Sequence, residues 1–187
     1  MSDNIAKYLD AAVLKPEMNR AEALAAMDTA IAYRCKTVCV RPCDIELAVA
    51  RCAGTETGVS CVLAFPHGLA SKRVKVFEAE DSASKGVVEI DMVANYSLIR
   101  SGLYALMTQE VREIAAVAHA HNVGLKVILE TAMLTEEEIR RATVCCADAG
   151  ADFVKTSTGF AGGGASEEAV RAMVEAAQGR IAVKASG

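Results

Sequence analysis

The chain has 187 residues, 52% of them apolar, and a formal net charge of −4 spread over interspersed acidic and basic side chains. That length supports one domain with a sizeable core. No basic patch interleaves with aromatics, which argues against a nucleic-acid partner, and no apolar run approaches a membrane span.

In chain order, MSDNIAKYLD opens without an apolar h-region, so no signal peptide is expected. YLDAAVL (8–14) is a weak strand candidate. Stronger β-branched runs follow at KTVCV (36–40), VSCVLAF (59–65), VVEIDMV (87–93), LKVILE (125–130), DFVKTS (152–157) and IAVKAS (181–186). Between them lie helical patterns. AVAHAHNVG is expected to end at Gly124. EEEIRRATVCCADAG carries a capping box, Thr135 with Glu138, and a stop at Gly150. SEEAVRAMVEAAQG repeats the logic with Ser166 as N-cap and Gly179 as stop. Strand-plus-helix units in this succession predict a parallel α/β domain. CKTVC and CVRPC have faint metal-like spacing, but no second Cys pair or His cluster follows. Seven cysteines scattered through such elements read as free thiols in a reducing, cytoplasmic setting.

Parallel strands covered on both faces should be almost wholly apolar. These are not. Alternation puts Glu89 and Asp91 on one face of the fourth strand, and Lys126 and Glu130 on one face of the fifth. Lys155 and Lys184 fall near the C-terminal ends of the sixth and seventh. Buried charges are costly unless paired. Strand C-termini are where a (β/α)8 barrel does its chemistry. No Gly-rich phosphate fingerprint follows the first strand, so the spacing favours a barrel over a doubly wound sheet.

Two lysines and an acid on neighbouring strand ends suggest a reaction. A lysine that is buried, or beside a second cation, is more easily neutral. The neutral amine attacks a carbonyl and forms a Schiff base. Asp91 is placed to relay protons, and Thr156, Ser157, Thr158 and Gly159 offer polar groups to a substrate. Spacing alone leaves catalysis and a plain ion pair of Lys155 with Asp91 or Glu89 equally open. Lys126 with Glu130 reads as a structural pair. His119 and His121 diverge around a helix and read as surface residues. His67, in FPHG, is a loop residue within reach of a site mouth.

Taken together, LKP (14–16), VCVRP (38–42), FPHG (65–68), EIDMVANYSLIRSG (89–102), LKVILET (125–131), ADFVKTSTGF (151–160) and KASG (184–187) resemble the class I deoxyribose-phosphate aldolases. The match runs over nearly the whole chain. It implies a metal-free, cofactor-free lyase with a TIM (β/α)8-type barrel. Such an enzyme reversibly cleaves 2-deoxy-D-ribose 5-phosphate to acetaldehyde and D-glyceraldehyde 3-phosphate, in deoxynucleoside catabolism. By the resemblance Lys155 is the Schiff-base nucleophile. Lys184 is the neighbour that depresses its pKa and helps move protons, and Asp91 is the acid/base partner. Thr158, Gly159, Lys126 and Gly187 fall at substrate-binding or site-supporting positions. The partners implied are small aldehydes and sugar phosphates, and a homodimer is compatible with it.

Two departures stand out. The family's opening D-x-T-x-L-K-P reads DAAVLKP, with Ala11 and Ala12, so a substrate-holding hydroxyl is absent at Ala12. The family also continues past KASG with an eighth strand, a Gly/Ser phosphate loop and a final helix. The expectation for residues 1–187 is therefore one barrel domain lacking its eighth strand and last helices. A catalytically weak sugar-phosphate-binding relative is the alternative. A transaldolase-like enzyme fits the EIDMV and KASG pair less well.

Overall fold

The computed structural model describes residues 4–187; Met1–Asp3 of the expected 1–187 domain lie outside the described residues. Every strand expected from the sequence forms, its ends displaced by at most two residues. They are β1 (Asp10–Val13), β2 (Thr37–Val40), β3 (Gly58–Leu63), β4 (Glu89–Val93), β5 (Gly124–Ile128), β6 (Phe153–Lys155) and β7 (Ala182–Lys184). They make one sheet in sequential order, each strand parallel to the next. Helices link them: α1 (Arg20–Tyr33), α2 (Ile45–Cys52), α3 (Lys72–Ala83), α4 (Tyr96–Arg100), α5 (Tyr104–Ala120), α6 (Glu136–Ala149) and α7 (Glu167–Ala177). β1 and β7 are the outer strands of this order. Eight-stranded closure is not observed among the described residues.

The sheet is strongly curled. In a flat sheet β1 and β5 would stand about 19 Å apart. Here Lys126 of β5 lies 3.8 Å from Asp10 of β1, and Lys184 of β7 lies 2.7 Å from the same carboxylate. The concave side is thus a lumen into which strand side chains converge. The convex side carries the main core, where Val38, Val40, Ile90, Met92, Leu125, Val127 and Val154 pack under the helices. Period-two alternation splits each strand between apolar core and polar lumen.

The helix signals mostly hold. Thr135 and Glu138 form the capping box of α6, whose Ile139, Ala142, Cys146 and Ala149 make a buried stripe at helical spacing. Gly150 follows in the left-handed conformation, and Ser166 caps α7. Two stops differ. Gln178 takes the left-handed position after α7, one residue before the expected Gly179. α5 ends at Ala120, and Gly124 opens β5 instead of closing the helix. The sequence did not single out α1, although Asn19 and Glu22 form a capping box there. Its buried face is only Ala23, Met27 and Ala30, too sparse an apolar stripe to stand out. α3 inverts the usual pattern: Lys75 is fully buried while Val74 and Phe77 are exposed.

All seven cysteines are free, five of them buried, as expected. Among the described residues, no helix is long and apolar enough to cross a membrane.

Candidate active site

The lumen holds a continuous charge network. Asp91, fully buried on β4, accepts from Lys126 Nζ at 3.0 Å on one oxygen and from Lys155 Nζ at 2.6 Å on the other. Lys126 also contacts Glu89, whose second oxygen accepts from Lys36 Nζ at 2.5 Å. Lys184 Nζ donates to the Tyr8 carbonyl at 3.0 Å and lies 2.7 Å from Asp10 Oδ2. Thr37 donates to Asp10 Oδ1 at 2.8 Å and accepts from the Ser60 hydroxyl at 2.9 Å. Lys155 and Lys184 are register partners on β6 and β7, so they share a face.

Electrostatics follow from this packing. Burial alone would push the Lys126 ammonium down, but Asp91, Asp10 and Glu89 outweigh it and hold it above the ordinary lysine range. Burial would likewise raise Asp10, yet Lys126, Lys184 and Thr37 hold its carboxyl below 3.8. Both shifts favour the charged, folded form. The Lys126 contribution is complete below pH 10.5 and is lost as pH rises through its higher folded value. The Asp10 contribution is present above pH 3.8 and is lost as pH falls through its lower folded value. Asp10→Asn is therefore expected to cost about 3 kcal/mol at pH 7. That deficit should shrink towards zero below pH 3.8, read from urea midpoints across pH. Cys39, next to this network, is pushed up to about 12 by burial and by the Asp91 charge, so it stays a thiol.

Above the network opens a cavity of about 930 Å³. Lys155 stands at its floor, 11% exposed at the side chain. Thr158, Gly159, Lys184 and Gly187 line it, as do Ala12 and Ser157. Ser157 Oγ is buried and has no hydrogen-bond partner among the described residues. Gly187 has φ +99, and a Cβ there would come within 2.9 Å of both Ser157 and Gly164, so only glycine lets these loops meet. Phe65 and Phe160 pack edge to face at 5.2 Å beside the mouth.

The expected site residues divide. Lys155, Asp91 and Lys184 come together. Lys126 does not line the cavity; it is 1% exposed beneath Asp91, under the floor and away from a substrate's edge. The expected Lys126–Glu130 pair does not form. Glu130 takes a left-handed backbone, φ 58, which breaks the strand alternation and turns its carboxylate to Thr158. His67 is exposed and outside the lining, whereas its neighbour Phe65 is in it. His119 and His121 sit at the surface against Asp152 and Glu80. Gly68 of FPHG has a backbone reason: a Cβ there would lie 2.2 Å from the Ala94 carbonyl oxygen. Sequence reasoning missed Lys36 and the Phe65–Phe160 pair, and it gave Glu130 the wrong partner. Both phenylalanines stand inside the motifs quoted above, which was the available signal.

Known proteins share this fold. The model of the DeoC/LacD family aldolases matches residues 5–187. The curated deoxyribose-phosphate aldolase 1 of Staphylococcus aureus (strain MRSA252) is 43% identical over 181 residues, covering 97% of this chain and 81% of that protein. The solved structure "QR15, an Aldolase" superposes with a TM-score of 0.92 at 40% identity, covering 99% of this chain and 81% of that one. The tetrameric deoxyribose phosphate aldolase of Aeropyrum pernix gives 0.90 at 27% identity, covering 98% and 77%. With a family-wide match over residues 5–187, this chain belongs to the DeoC/LacD aldolase family.

Proposed function

We propose that this chain is a class I aldolase that cleaves 2-deoxy-D-ribose 5-phosphate to acetaldehyde and D-glyceraldehyde 3-phosphate. One observation carries the residue roles. Lys155 is the amine at the cavity floor, reached by substrate from above and hydrogen-bonded to the buried Asp91 at 2.6 Å from below.

The steps follow from that geometry. Asp91 receives the ammonium proton of Lys155, and the free amine adds to the substrate aldehyde carbon. Asp91 returns that proton to the hydroxyl of the carbinolamine, and loss of water gives the iminium with Asp91 again a carboxylate. A base, Asp91 acting through water, takes the C3 hydroxyl proton, and the C2–C3 bond breaks. Its electron pair moves into the iminium, forming an enamine, while the new carbonyl leaves as glyceraldehyde 3-phosphate. Protonation of the enamine at C2 and hydrolysis release acetaldehyde. Lys184, at the same register as Lys155, shuttles protons in this reading. Thr158, Gly159 and Gly187 border the space for the phosphorylated end.

The curled parallel sheet fits a (β/α)8-type barrel seen through seven of its strands. A cytoplasmic homo-oligomer acting in deoxyribose catabolism is consistent with the relatives. Borohydride added with acetaldehyde tests the chemistry. A stable two-carbon adduct on Lys155, located by mass spectrometry, is the expected result. A folded protein without that adduct refutes the reading and favours a sugar-phosphate-binding relative.

A further inference from the structure

Glu130 is a buried acid that these steps do not use. It is 1% exposed, and its backbone holds φ 58 and ψ 63, a conformation that costs free energy for any residue with a Cβ. The lumen lysines pair elsewhere: Lys126 with Asp10, Glu89 and Asp91, Lys155 with Asp91, Lys184 with Asp10. A buried carboxylate without a cation is also unfavourable unless it is well hydrogen-bonded. Two local costs therefore meet at one residue.

Its partner is Thr158, three residues after Lys155. The Thr158 hydroxyl donates to Glu130 at 2.5 Å, and the Thr158 amide donates to the same carboxylate at 3.3 and 3.4 Å. Thr158 Oγ1 in turn accepts from the Phe160 amide at 3.0 Å. The hydroxyl proton is thus spent inside the protein and is not free for a substrate. Beside these bonds, Leu129 N donates to Lys155 O and Thr131 N to Thr156 O, both at 2.9 Å. The segment that leaves Lys155 is fastened to the end of β5 at successive points, and Glu130 is the side-chain fastening.

We propose that Glu130 is a positioning residue: through Thr158 it holds residues 158–160 against the Lys155 cavity, setting Gly159 and Phe160 where the phosphorylated end of the substrate must lie. The kinetic part of this inference rests on the aldolase reading; the structural part does not.

The test uses Glu130→Ala, Glu130→Gln, Thr158→Val and the Glu130→Ala/Thr158→Val pair. Glu130→Ala is expected to raise KM for deoxyribose 5-phosphate roughly tenfold, while borohydride capture of acetaldehyde on Lys155 stays at the parent level. Glu130→Gln should recover most of the loss, because its carbonyl still accepts from Thr158. The paired variant should be no worse than the more impaired single variant, since both act through one contact. Acetaldehyde capture falling in step with the KM rise, or additive effects in the pair, would overturn the proposal. If the parent captures no acetaldehyde, the aldolase reading fails, and amide exchange still decides Glu130. Faster exchange at Thr158 and Phe160 in Glu130→Ala, with α5 unchanged, supports the role, and unchanged exchange at both amides refutes it.

Discussion

Lys155→Leu is expected to leave less than about 10⁻⁴ of the parent's retro-aldol rate, with the cooperative unfolding transition retained. With Lys155 as the proposed nucleophile, the activity loss follows from covalent chemistry: without its amine no iminium forms at the cavity floor, and the electrons of the breaking C2–C3 bond have no acceptor. Retention of the fold follows from the lumen charges. Removing Lys155 leaves Lys36, Lys126 and Lys184 against Asp10, Glu89 and Asp91, and Asp91 keeps its Lys126 contact at 3.0 Å. Steady-state cleavage of deoxyribose 5-phosphate and thermal unfolding of the same preparation check both halves. Substantial turnover by the variant would refute Lys155 as nucleophile. Asp91→Asn is a different perturbation, because it strips a carboxylate shared by Lys126 and Lys155 and so confounds chemistry with stability.

The largest expected effect on stability lies outside the lumen. Lys75 of α3 is fully buried; it donates to Glu110 of α5 at 2.6 Å and to the Val93 carbonyl at 3.1 Å. Burial pushes its ammonium below 10.5, against the pull of Glu110. Glu110→Ala leaves that cation with one carbonyl, and the expected loss is about 3–5 kcal/mol in urea unfolding at pH 7. The sign with pH is opposite to that for Asp10. The unfolded chain binds the Lys75 proton more tightly than the folded variant, so the variant's deficit shrinks as pH rises towards 10.5. Replacing both partners, Lys75→Met with Glu110→Leu, should be neutral or stabilising, since packed apolar groups need no desolvation. A Glu110→Ala loss below about 1 kcal/mol, typical of an exposed pair, would show that water reaches Lys75.

How much of this was legible in the sequence depends on the range over which each feature is decided. Strand runs, the caps of α6 and α7, and the charged strand positions Asp91, Lys155 and Lys184 were readable because alternation and capping are set within a few residues. The family's motifs then pointed to what those charges do. Partner choice was not readable. Lys126 meets Glu89, Asp91 and Asp10, residues 37, 35 and 116 positions away, because parallel register and sheet curl bring them together. Glu130 looked like a strand neighbour of Lys126 until one left-handed backbone turned it to Thr158. Lys75 carries no local signal of burial, yet the α3–α5 contact buries it. The sequence by itself determined which elements form and which residues are able to react. Tertiary structure alone decided which charge neutralises which, because pairing is a property of the distance between strands and helices, and no local pattern encodes that distance.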